Sequence, residues 1–172
     1  MRIFLLRHAI AEPRDPRRYP GDSARPLTRA GRARMARAAR GMRALGLRFD
    51  LILTSPFARA RQTAAIVHDS CRPRPPLRVL RPLAPGGGTG GVVAGLASLP
   101  KDSAVLLVGH EPDLSRLAGA LVLETRSDLP LEFRKGGLCR IDSAGAPLPG
   151  AGRIVFHLTP KILRRLGPRR PG

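Results

Sequence analysis

Residues 104–109, AVLLVG, are apolar at every position. A strand of that kind has no wet face. It must be covered above and below, as parallel strands are when helices pack on both faces of a sheet. RIFLLR at 2–7 and DLILT at 50–54 have a similar character. Helical patterns alternate with these runs. Thr28 suits an N-cap for a helix to about Leu45, closed by Gly46 and held by Met35, Ala36, Ala39 and Met42. Further helices are expected over 57–68, from the glycine-rich loop 85–91 to about 98, over 113–124 with Leu114, Leu117, Ala118, Leu121 and Val122 inward, and over 160–166. Shorter strands are expected at 77–80, 137–142 and 153–158, the last two joined by the Pro/Gly loop 144–152. The pattern predicts an α/β fold: a single three-layer domain with a mostly parallel central sheet and helices on both faces. A chain of 172 residues suits one domain, expected over 1–166 with 167–172 as a frayed tail.

In such sheets ligands sit beyond the carboxyl ends of the strands. Arg7 and His8 follow the first run, Thr54 and Ser55 follow the second with Arg59 a turn later, and His110 follows the third. All three groups would face one edge of one sheet. Phosphoryl transfer needs a nucleophile, positive groups around the non-bridging oxygens and room for in-line attack. A neutral imidazole can attack phosphorus, two arginines supply paired donors in rigid forks, and a second histidine can donate to the same oxygens. His8 is the candidate nucleophile, with Arg7, Arg59 and His110 as candidate phosphate-binding groups. Each alone reads more readily as a surface or turn residue; their common placement gives them weight.

LLRHA at 5–9, TSPFARARQTA at 54–64 and LVGHEP at 107–112 together resemble the histidine phosphatase, or phosphoglycerate mutase-like, superfamily. The second segment follows its S-P-x-x-R-A-x-x-T-A pattern through Ser55, Pro56, Arg59, Ala60, Thr63 and Ala64. The resemblance implies that His8 is phosphorylated as an intermediate, with Arg7, Arg59 and His110 completing the pocket. Pro56, Ala60 and Thr63 are expected to be structural. RPLTRAGRARMA at 25–36 and GHEPDLS at 109–115 resemble the compact SixA-type phosphohistidine phosphatases, which lack the insertions that cover small sugar-phosphate substrates. That likeness implies a protein-borne phosphohistidine as substrate.

One departure bears on mechanism. Many members carry a mid-chain Glu as general acid, and RPLAPGGGTGG at 81–91 contains no carboxylate. An alkoxide leaving group without an acid loses roughly 10²–10⁴ in rate. Imidazole, which takes a proton near neutral pH, needs less help. Glu111, Glu12 and Asp113 are the stand-in candidates as proton donor, Glu111 reading more readily as a helix N-terminal carboxylate. The alternatives are a general small-molecule phosphomonoesterase and a phosphate- or polyanion-binding module without turnover. Lys135-Gly136-Gly137 reads as a turn into an edge strand or as a reach to the pocket rim.

The net charge of +19 fits a polyanion partner, but all but three of the 31 basic residues are arginine, and Ala, Pro and Gly are abundant beside them. A compositional bias explains that combination, and with aromatics at 3% a nucleic-acid partner is not expected. PGGGTGG lacks the Lys-Ser/Thr ending of a P-loop. No His/Cys/Asp spacing suits a metal, so no metal or other cofactor is expected and activity should resist EDTA. Cys71 and Cys139 are expected as free thiols. The N-terminal apolar stretch is short and broken by Arg7 and His8, so it reads as a strand. The expectation is a cytoplasmic protein without membrane contact.

Overall fold

The structure, a computed structural model, describes residues 1–123, 129–145 and 147–167. The apolar runs become β1 (Arg2–Arg7), β2 (Leu51–Thr54), β3 (Leu77–Val79), β4 (Ala104–Gly109), β5 (Leu138–Ser143) and β6 (Gly152–Leu158). They form one sheet in the order β3-β2-β4-β1-β5-β6. The first four strands are mutually parallel, while β5 and β6 run antiparallel to their neighbours. The register aligns the carboxyl ends: Arg7 sits beside Gly109, and Thr54 beside Val108. The residues that follow therefore emerge along one edge.

Period-two alternation splits each central strand between two cores. Phe4, Leu6, Ile52, Leu106 and Val108 point to one face, where α1 (Arg29–Ala44), α2 (Ala58–Ser70) and α5 (Pro160–Leu166) bring Met35, Met42, Ala60, Ala64 and Leu163. Ile3, Leu5, Leu53, Val105 and Leu107 point to the other, against Val92 and Leu96 of α3 (Thr89–Ala97) and Leu114, Leu117 and Leu121 of α4 (Asp113–Val122). Every residue of β4 is buried, as an all-apolar central strand requires. Truncating a wholly buried leucine such as Leu106 to alanine costs about 2–5 kcal/mol.

The chain after β1 is fixed to the start of α1. Thr28 caps the helix by accepting from the Gly31 amide at 2.8 Å, and its own amide donates to the Ile10 carbonyl at 3.0 Å. A Cβ on Gly31 would lie 2.1 Å from that carbonyl, so only glycine permits the approach.

Several expectations shift in detail. Ala38, rather than half-buried Ala36, completes the inner face of α1. Helix α4 ends at Val122, and the expected last residue, Glu124, lies outside the described residues. Gly167 is buried rather than frayed: its amide donates to the Leu163 carbonyl at 3.1 Å and its carbonyl accepts from Arg37 Nε at 3.4 Å. The rest of the expected tail lies outside the described residues. The strand after Gly137 is not an edge strand, because β6 covers its outer side. No described helix is long and apolar enough to cross a membrane.

Candidate active site

The sheet edge brings His8, Arg7, Arg59 and His110 together. His8 follows β1 and is 6% exposed. Its Nδ1 lies 2.7 Å from the Ala9 carbonyl, which can only accept, so the proton resides on Nδ1. That leaves a lone pair on Nε2, toward which Arg59 Nε donates at 3.3 Å. The ring is held as the tautomer that can attack through Nε2. Burial, with the charges of Arg59, Arg7 and Lys135 added, outweighs the Ala9 hydrogen bond and lowers its pKa to about 4. His8 is therefore neutral at pH 7. Thr63 ties this segment to α2: its Oγ1 accepts from the Ala9 amide at 3.0 Å and donates to the Arg59 carbonyl at 2.7 Å.

His110 follows β4, with its ring centroid 5.0 Å from that of His8. Its Nε2 pairs with Ser55 Oγ at 2.9 Å. Burial first, then the positive surroundings, lowers its pKa to about 3. Phe57 packs edge-on against this ring at 5.3 Å and also lies under the Arg59 guanidinium at 4.9 Å. Arg7 donates from Nη1 to the Phe133 carbonyl at 2.5 Å. Two atoms here are buried without a partner: Arg7 Nε and His110 Nδ1. Buried polar atoms are normally paired, so each of these retains capacity for one further hydrogen bond. The third such atom among the described residues, His157 Nε2, belongs to a ring that meets Phe133 at a tilt of 60°, with centroids 5.0 Å apart.

The model of the histidine phosphatase superfamily (branch 1) matches residues 3–83. Phosphohistidine phosphatase SixA of Escherichia coli is 33% identical over 126 residues, covering 72% of this chain and 73% of that protein. The chain belongs to the histidine phosphatase superfamily. An uncharacterised protein of Picosynechococcus is 36% identical over 172 residues, covering 98% of each. A solved structure of the protein histidine phosphatase SixA complexed with tungstate superposes with a TM-score of 0.82 at 27% identity, covering 95% of this chain and 99% of that one.

In this superfamily member the carboxylates fall where sequence did not put them. Glu111, one candidate proton donor, is engaged elsewhere than at the His110 ring. Its carboxylate oxygens lie 2.9 and 2.8 Å from Ser115 Oγ, and Oε1 accepts from the Phe133 amide at 2.9 Å. Since the Phe133 carbonyl receives Arg7, Glu111 fixes the segment that positions Arg7. Asp113 accepts from the Gly86 amide at 3.0 Å and so anchors the glycine-rich loop. Glu12 is half-buried; its backbone amide donates to the Pro26 carbonyl at 2.9 Å, and its carboxylate bonds to none of the four pocket side chains. Among the described residues no group of His, Cys, Asp and Glu is arranged to hold a metal. Cys71 and Cys139 are free, and burial raises the Cys139 thiol to about 12.

Sequence reasoning missed Asp22. Its Oδ2 lies 2.9 Å from Arg59 Nη2, its carbonyl accepts from Arg59 Nη1 at 2.9 Å, and its Oδ1 accepts from Arg25 Nε at 3.0 Å. Partial burial opposes ionisation of Asp22, but the two arginines more than offset it and hold the carboxyl below its usual range. Ser55 and Phe57 were also missed as partners of His110, although both lie in a quoted motif. Lys135 sits in a turn, but one that leads into an internal strand rather than an edge strand. Gly136, at a φ of 83°, makes the turn by donating to the Arg7 carbonyl at 3.0 Å, and the turn carries the Lys135 charge close enough to act on His8.

Proposed function

We propose that this chain is a phosphohistidine phosphatase acting on a phosphorylated protein, with His8 as the transient phosphoryl acceptor. The observation that carries the reading is the His8 tautomer: Nδ1–H on the Ala9 carbonyl leaves a neutral Nε2 lone pair among Arg7, Arg59 and His110. Attack by Nε2 forms a bond to phosphorus as the bond to the substrate imidazole breaks. The electron pair of that bond stays on the leaving nitrogen, and an imidazole already protonated at its other nitrogen departs neutral. Arg7, Arg59 and His110 would hold the non-bridging oxygens. A water then attacks the phosphoryl group on His8, inorganic phosphate leaves, and the pair returns to Nε2.

The carboxylates support the choice of substrate. Asp22 is held ionised between two arginines, and Glu111 is engaged with Ser115 and Phe133, so neither is poised to protonate an alkoxide. SixA of Escherichia coli, named for phosphohistidine, and the tungstate-bound SixA structure agree with the reading. Glu12 favours a second one. It is a carboxylate a few residues from His8 with no hydrogen bond or ion pair from its side chain among the described residues, and it would serve a small-molecule phosphomonoesterase as acid.

The deciding experiment is phosphate release from a phosphohistidine-bearing protein, beside p-nitrophenyl phosphate, with His8→Ala as control. His8-dependent release from the protein and little from the aryl ester is expected. Faster release from the ester, lost in Glu12→Gln, would replace this reading with the second.

A further inference from the structure

A shallow groove, a depression enclosing only about 20 Å³, opens beside the pocket. Its floor includes Ala9 and Ile10, the residues directly after His8, and its walls carry Arg34 of α1, Lys135 of the turn before β5, and Arg164 of α5. Three separate segments thus deliver a cation to one depression. None of the three makes a hydrogen bond or ion pair within the described residues, whereas Arg25, Arg59 and Arg140 are each paired with an aspartate. Helices α1 and α5 contain no Asp or Glu at all.

Holding uncompensated like charges around one groove costs repulsion, which an anionic occupant would relieve. Compositional bias explains why arginine is common in this chain. It does not explain why one of only three lysines sits here, nor why three segments converge without a counter-charge.

We propose that this groove is a docking subsite for acidic side chains that flank the phosphohistidine of the protein substrate. The proposal rests on the phosphoprotein reading above. The groove begins where the nucleophile's segment ends, so its occupant is continuous with whatever presents the phosphoryl group. Its lining contains no aromatic ring on which a base could stack, which favours an acidic protein segment over a nucleic acid. Ile10 and Pro160 in the lining, both half-buried, offer aliphatic surface to the stems of glutamate side chains.

The test uses the full chain carrying Arg34→Glu and Arg164→Glu. Lys135 is left intact because its charge reaches His8. Substrates are a phosphohistidine domain with acidic residues around the phosphohistidine, the same domain with those residues neutralised, and phosphoramidate as a small reference. The expected result is a KM for the acidic domain raised by about tenfold and no longer dependent on salt, with kcat and phosphoramidate turnover unchanged. The neutralised domain should show the raised KM already with the wild-type enzyme. An unchanged KM for the acidic domain overturns the proposal. So does loss of phosphoramidate turnover, since the groove would then act on the pocket itself. Loss of single-stranded oligonucleotide binding with KM unchanged overturns it in favour of a nucleic-acid surface. If the wild-type enzyme turns over phosphoramidate but neither phosphoprotein, the functional reading itself fails, a result distinct from all of these.

Discussion

Arg59 turns Nη1 and Nη2 onto Asp22, each at 2.9 Å, while its Nε reaches Nε2 of His8 at 3.3 Å. One guanidinium therefore links the candidate nucleophile to a carboxylate, and that carboxylate is an anion already resident on the group proposed to receive phosphate. Asp22 aims Arg59, and on the proposed role of Arg59 it would compete with the incoming phosphoryl oxygens. Asp22→Asn keeps acceptor and shape and removes the charge. Inorganic phosphate or tungstate should then bind more tightly, by roughly fivefold or more for one partly screened charge a few ångströms away. Inhibition constants for both anions would show it. Unchanged or weaker inhibition would mean that Asp22 only aims the arginine.

Glu111 gives a second test, because its two candidate roles respond differently to the same substitutions. As the anchor for Ser115 and the Phe133 amide it needs only acceptor oxygens, one of which glutamine retains. As a proton donor it needs its acidity, which glutamine lacks. Glu111→Gln should keep most of the activity, whereas Glu111→Ala releases the segment that holds Arg7 and should cost roughly tenfold to a hundredfold in kcat/KM. Equal losses in both variants would restore the proton-donor role.

The four pocket side chains differ in the kind of loss expected. His8→Ala removes the acceptor and should abolish turnover. Arg7→Ala, Arg59→Ala and His110→Ala each remove donors proposed to face the phosphoryl oxygens and should each cost roughly 10²–10³ in rate. Turnover surviving in His8→Ala, followed by phosphate release, would rule out a covalent intermediate on that residue.

The sheet and Arg7, His8 and His110 were legible because they are written locally, whereas Arg59, on α2, was legible only through the 54–64 motif. An all-apolar strand announces its burial, and a polar residue directly after it is delivered to the sheet edge by strand geometry alone. Asp22 was not legible. It comes from the 9–27 loop, which has no periodicity, and it meets Arg59 only through tertiary folding. Glu111 was open to two readings for the opposite reason. It is adjacent to His110 in sequence, but the start of α4 turns its carboxylate toward Ser115 and the Phe133 segment. Lys135 was picked out by the two glycines after it, but its convergence with Arg34 and Arg164 was hidden among many basic residues, because it arises only from tertiary folding.

The histidines also set a pH dependence whose sign follows from the direction of their shifts. His8 and His110 have pKa values lowered to about 4 and about 3, against an ordinary value of 6.5. Burial is the first cause in both. Below about pH 6.5 the unfolded chain binds protons that the folded protein refuses, so their contribution to stability is complete above that pH. It is lost progressively as pH falls from about 6.5 toward about 4. For His8 alone the loss is on the order of 3 kcal/mol. Unfolding free energies measured between pH 7 and pH 4.5 should fall steeply, and less steeply in His110→Gln. The His8 ring, followed by NMR in the free enzyme, should titrate near pH 4. A midpoint near 6.5 would mean that the ring is charged over much of the range in which it is proposed to attack, and the neutral-nucleophile mechanism would not stand.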